Sequence, residues 1–156
     1  MGSISEGAGT IEVISRAVVT DSQKVLLCHT RGAWNTYLPG GHVEFGEPAG
    51  VALARELKEE LGVDAEVRGF LGGIEHCYKR DRETCCEINL LFETVVPSLS
   101  SLSNPLSMED YIEFMWADIN DLEAKKIQPD VLAQCLSGWL GGETPADRWI
   151  SSGLLA

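Results

Sequence analysis

The segment GHVEFGEPAGVALARELKEELGV, residues 41–63, constrains this chain more than any other stretch. Glu47-Pro48 opens a helix, because proline at or near the first helical position loses no hydrogen bond. Gly62 closes it in the usual C-terminal glycine position. At about 100° per residue, Leu53, Ala54, Leu57 and Leu61 share one stripe, which is expected to pack on a sheet. Glu56, Glu59 and Glu60 occupy a separate arc. Carboxylates at i, i+3 and i+4 repel, costing about 0.2–0.5 kcal/mol per pair. A solvated helix face would explain three glutamates, and Arg55 and Lys58 could screen them. The approach to the helix favours another reading. Pro39-Gly40-Gly41 is expected to make a tight backbone turn beside it, where carbonyls can point at an ion. Several carboxylates and a backbone carbonyl suit Mg²⁺ or Mn²⁺, which take octahedral oxygen ligands and retain waters that a phosphate can replace.

The rest of the chain alternates in type around this helix. Residues 11–20 and 24–30 read as a β-hairpin, 36–38 as a short strand, and 63–76 as one or two strands broken by Gly69 and by Gly72-Gly73. Residues 86–96 form a buried strand and 97–110, rich in Ser and Pro, a loop that could serve as a lid. Residues 111–116 are a further strand, and 119–125 and 129–140 are helices, with Gly141-Gly142 stopping the second. Strands on both sides of a central helix indicate an α/β or α+β sandwich around a mixed sheet. Residues 1–10 read as a flexible leader, with neither a secretory signal nor a complete myristoylation motif. Residues 11–140 read as one domain and 141–156 as a C-terminal extension.

Charge narrows the partners. Twelve Lys and Arg face 24 Asp and Glu, a net −12. Such a surface repels a nucleic-acid polymer, but a phosphorylated small molecule is admissible if divalent metal lies between phosphate and carboxylate. No apolar run is long enough to span a bilayer. Five cysteines, Cys28, Cys77, Cys85, Cys86 and Cys135, lack any C-x-x-C spacing. Zinc ligation and a disulfide framework are therefore not expected, and a reducing cytoplasm is the natural location. The adjacent Cys85-Cys86 shows no sign of an activated thiolate.

Residues 41–63 resemble the Nudix box, G-x5-E-x7-R-E-U-x-E-E-x-G-U, where U is a bulky aliphatic residue. Gly41, Glu47, Arg55-Glu56-Leu57, Glu59-Glu60 and Gly62-Val63 fill every defined position. Tyr37-Leu38-Pro39-Gly40-Gly41 resembles the family's lead-in, and residues 113–116, 118–122 and Pro129 its closing elements. The resemblance implies an α/β/α sandwich around a mixed β-sheet and hydrolysis of a diphosphate linkage in a nucleoside diphosphate derivative. It implies Glu56 and Glu60 as metal ligands, Glu59 as a further ligand or the group that orients water, and the Gly40 carbonyl as an additional ligand.

Bound Mg²⁺ would neutralise the diphosphate and acidify coordinated water, and a carboxylate would accept the proton. Glu59 and Glu87, which heads an otherwise apolar strand, are the candidates, with Glu44 behind them. Arg55 can pair with Glu47 or Glu59 and hold the carboxylates in place. His42, Arg31 and Tyr37 are candidate substrate contacts, with His76 and Trp34 weaker. A nucleoside triphosphate is the first expectation for substrate, then ADP-ribose or a nucleotide sugar. No proline follows the box before Val96, so an ADP-ribose mark is missing, while Tyr78 lies near a tyrosine of dinucleoside polyphosphate hydrolases. A non-catalytic nucleotide-binding module is the rival reading, although such modules often lose box glutamates and this chain keeps them. Dimers are common in the family, which leaves a homodimer open.

Overall fold

The computed structural model describes residues 9–142 and 148–153. Most of the leader reading therefore lies outside the described residues. Ten elements follow in order. These are β1 (Thr10–Val18), β2 (Thr20–Asp21), β3 (Lys24–Thr30), β4 (Gly40–His42), α1 (Ala49–Leu61), β5 (Glu66–Arg80), β6 (Glu83–Val95), β7 (Ile112–Asp118), α2 (Leu132–Leu140) and β8 (Trp149–Ser152). One sheet has the order β4-β1-β6-β5-β8 and a second the order β2-β3-β7. The larger sheet is mixed, because β1 runs parallel to β6 and antiparallel to β4, while β5 runs antiparallel to β6 and parallel to β8.

The alternation of strand side chains makes two cores. Ala17 and Val19 of the β1–β2 segment pack with Leu53, Leu57 and Leu61 of α1. Val18 faces the other way and packs with Leu91, Leu132, Leu136 and Trp139 beside α2. The architecture is the expected α/β/α sandwich. Helix α1 is fixed at its start by Ser15 Oγ, fully buried, which donates to the Ala49 carbonyl at 2.8 Å. It ends at Gly62, whose φ of 68° is left-handed and whose N–H donates to the Lys58 carbonyl. The buried stripe is Ala52, Leu53, Leu57 and Leu61. Ala54 is only half-buried, so Ala52 takes the place expected for it.

Several expectations are corrected. Gly40–His42 is not a tight turn but a short strand on β1, with Gly40 opposite Arg16. Residues 36–38 make only isolated bridges, Cys28 to Tyr37 and Thr36 to Ile127. Strand β5 is continuous, with register shifts between Val67 and Gly72 that absorb Gly69. Gly72 and Gly73 do not break it. A Cβ at Gly72 would lie 2.5 Å from the Trp139 ring, and one at Gly73 would lie 2.6 Å from the Trp149 ring. These glycines leave room for two indoles against the strand.

Residues 119–125 are turns rather than a helix, because the Asp118 carboxylate accepts from the Asn120 backbone N–H at 2.8 Å and competes with helical bonding. The segment read as an extension contributes β8, which lengthens the sheet beside β5. Cys77 and Cys86 form a disulfide, against the expectation of none. They are directly opposed partners on β5 and β6, nine residues apart, a pairing that no spacing motif announces. No helix among the described residues is long and apolar enough to cross a membrane.

Candidate active site

Arg55 organises the acidic face of α1. Its Nε and Nη2 donate to the two carboxylate oxygens of Glu47, at 2.9 and 3.1 Å. Nη1 donates to Glu56 at 2.9 Å and reaches Glu59 at 3.4 Å, and Nη2 also donates to the His42 carbonyl at 3.2 Å. One planar guanidinium thus ties the loop before the helix, the end of β4 and two helix glutamates together. These bonds raise the Arg55 pKa and hold Glu47 below the usual carboxylate range. Gly41 completes the arrangement. A Cβ there would lie 2.3 Å from the Glu56 carboxyl carbon, so only glycine lets that carboxylate lie against β4.

The three helix glutamates differ in environment. The Glu56 side chain is 17% exposed and bonded to Arg55, while that of Glu59 is 55% exposed and only weakly held. Glu60 is the unusual one. Its Oε2 is buried and has no hydrogen-bond partner. Burial first, then the charge of Glu56, pushes its pKa up to about 7; Glu109 and Glu59 add to the rise, and Arg16 partly offsets it. An orphaned carboxylate oxygen in a crowd of carboxylates lacks a positive charge. A divalent cation with oxygen ligands would supply it, and the donor set fits Mg²⁺ or Mn²⁺. As the side chains stand, no group of three acidic, His or Cys residues converges on one point among the described residues, since Glu56 is turned onto Arg55.

The loop 97–111 is fastened to this face. The Met108 N–H donates to the Glu60 carbonyl at 2.7 Å, the Ser101 N–H to Asp21 at 2.7 Å, and the Trp116 N–H to the Asn104 side chain at 2.9 Å. The loop brings Glu109 and Tyr111 toward the helix glutamates. Sequence reading missed both, since neither belongs to a motif and only the fold returns the loop to α1.

A cavity of about 550 Å³ is walled by Arg16, Trp34, Tyr37, His76, Tyr78 and Glu87. The Glu87 carboxylate accepts from Tyr78 Oη at 3.2 Å and from Asn89 Nδ2 at 3.3 Å. Burial, then the charge of Glu87, raises the Tyr78 pKa, so its hydroxyl keeps its proton. Asn89 Oδ1 in turn accepts from Arg16 Nε at 3.2 Å. Arg16 and the almost fully buried Asn89 were also overlooked. A signal was available for Asn89, a polar residue between Ile88 and Leu90 in a strand, but not for Arg16, which follows Ser15.

The candidate residues therefore fall into separate groups. Glu56, Glu59 and Arg55 are bonded together on α1 beside Glu60, and Gly41 of β4 lies against Glu56, while Gly40 lies next along β4 against β1. Gly40 has φ 142°, and a Cβ there would lie 1.9 Å from the Ser15 carbonyl oxygen, so β4 can approach β1 only through glycine. Tyr37 and Glu87 line the cavity, and the Glu60 charge reaches Tyr37. His42 is exposed and paired with Glu12 at 3.3 Å, and Arg31 is exposed and paired with Glu113 at 3.5 Å. Neither lines the cavity.

The family model described as NUDIX domain matches residues 12–135. Among solved structures, a MutT NUDIX hydrolase from Burkholderia pseudomallei is 26% identical, with a TM-score of 0.57 over 72% of this chain and 87% of its own. A NUDIX hydrolase from Nitrosomonas europaea is 21% identical, with a TM-score of 0.64 over 92% and 79% of the two chains. A UDP-X diphosphatase is 18% identical, with a TM-score of 0.62 over 90% and 67%.

Proposed function

The chain belongs to the NUDIX family, and from that premise we propose that it is a divalent-metal-dependent pyrophosphohydrolase of nucleoside diphosphate derivatives. The observation that carries this reading is the buried, unpartnered Glu60 oxygen beside Glu56 and Glu59, on a helix locked in place by Arg55. Glu56, Glu59 and Glu60, with the Gly40 carbonyl, would hold Mg²⁺ or Mn²⁺. The ion, when bound, supplies charge neutralisation to the diphosphate and a more acidic water.

The chain's own residues do the rest. Arg55 keeps the carboxylates aligned, as partners of metal ligands do. Glu59 accepts the proton from water, because it is the most exposed of the three. Glu87 already accepts two hydrogen bonds within the cavity, so its role is to orient the group bound there rather than to act as base. Tyr37, with Trp34 and Tyr78, offers ring surfaces on which a base can stack. Arg31 and His42 make no contact in this reading.

A nucleoside triphosphate is the first substrate assigned. A nucleotide sugar or ADP-ribose comes second, because the cavity has room for a group beyond a base and because one structural neighbour is a UDP-X diphosphatase. The test is a panel of nucleoside triphosphates, nucleotide sugars and ADP-ribose, with phosphate and pyrophosphate detection and with Mg²⁺ or EDTA. Release of pyrophosphate from a triphosphate, only with metal, supports the assignment. Specific binding of a nucleotide without turnover of any compound would favour a binding module instead.

A further inference from the structure

Arg16 sits where the two halves of the site meet. It lies on β1 directly opposite Gly40, lines the cavity, and its charge reaches Glu60 on the helix side. Its guanidinium is held from three directions. Nε donates to Asn89 Oδ1 at 3.2 Å, Nη1 donates to the Leu38 carbonyl at 3.1 Å, and the group lies over the Tyr37 ring at 5.2 Å. All three partners are neutral. Arg55, Arg31, Arg68 and Lys58 each pair with a carboxylate, but among the described residues Arg16 has none within ion-pair distance. Lys79 and Arg80 on the cavity wall also lack one, but they are exposed, whereas Arg16 is half-buried. A half-buried cation with no carboxylate in direct contact is costly. It is especially unexpected in a chain where acidic residues outnumber basic ones two to one, 24 against 12.

A guanidinium carries five N–H donors, and the bonds above use two. Its planar fork matches phosphate oxygens, and a group already fixed by Asn89, Leu38 and Tyr37 loses little freedom on binding. We propose that Arg16 is an anion-binding residue of the site, gripping the phosphate of the substrate that lies between the helix glutamates and the cavity. This rests on the hydrolase reading for the identity of the phosphate, but it is testable apart from turnover. The network Glu87–Asn89–Arg16 then acts as a positioning device, linking the residue that orients the cavity-bound group to the one that holds phosphate.

The probe is inorganic pyrophosphate, titrated calorimetrically with Mg²⁺ and, separately, in EDTA. R16Q should bind it at least tenfold more weakly than the wild type, consistent with the loss of a charge-assisted hydrogen bond, with R16K between them. R16Q should bind Mg²⁺ alone at least as tightly as the wild type, since a nearby cation has gone. In turnover, the loss should fall on KM more than on kcat. Equal pyrophosphate affinity of wild type and R16Q, or no binding by the wild type, overturns the proposal.

If R16Q does not fold, the side-chain ¹⁵Nε–H resonance of Arg16, assigned by its absence from R16K, gives the answer in the wild type. Its movement on adding pyrophosphate supports the contact, and a stationary resonance refutes it. Arg16-dependent pyrophosphate binding in EDTA, with no Mg²⁺ binding and no turnover, would remove the hydrolase reading and leave this one standing.

Discussion

Glu60 carries a carboxylate into a half-buried position and leaves one oxygen without a partner. Its pKa of about 7, against an ordinary 4.5, has a consequence for the metal-free protein. The native state holds this proton more tightly than the unfolded chain, so stability contributed by the protonated form is present below about pH 4.5. It is lost as pH rises to about 7. Metal-free protein should therefore unfold more easily at pH 7.5 than at pH 5.5 in urea, and E60Q should flatten that difference. A steeper fall in E60Q would contradict the cause assigned here. Gly41 gives a second test at this scale. In Gly41→Ala the added methyl must displace the Glu56 carboxylate, and Mg²⁺ affinity should drop by about 10–100-fold, the range found when a ligand's support is disturbed. Unchanged affinity in calorimetry would mean that Glu56 is no ligand.

Among the elements, α1 was the most legible and β5 the least. The helix announces itself through Pro48, Gly62 and a repeating apolar stripe, all of which act within one or two turns. Strand β5 was read as broken because glycine weakens strands in general. Its Gly72 and Gly73 answer to Trp139 and Trp149, residues that only the folded chain brings near. The disulfide between Cys77 and Cys86 was hidden for the same reason, since cross-strand register decides it. Gly72→Ala should cost about 1–3 kcal/mol in denaturant unfolding by overpacking against the Trp139 ring. A neutral effect would mean that α2 rests loosely on β5. The acidic half of the site was readable because one helix carries it, whereas the cavity half draws on β1, β5 and β6 and on the loop before Leu38. No local pattern joins Arg16 to Asn89 or brings Glu109 back to Glu60.

At the scale of the whole molecule, the two helices of the described residues pack on separate cores, and the proposed site lies where α1, β4 and β1 come together. The large acidic excess gathers one cluster that would suit a divalent cation, while the cavity holds a half-buried arginine, Arg16, with no carboxylate at ion-pair distance among the described residues. Because the ion would bind the native state and not the unfolded chain, Mg²⁺ at about 100 times its dissociation constant should add about 2.7 kcal/mol of stability. Thermal unfolding with and without the ion checks this, and E60Q should lose most of the gain. The central claim meets its most direct test in the rate of nucleoside triphosphate hydrolysis as Mg²⁺ is titrated into wild type and E60Q. The account predicts saturable, metal-dependent turnover in the wild type and a rate lower by orders of magnitude in E60Q. Equal rates in the two proteins, or hydrolysis that persists in EDTA, would contradict it.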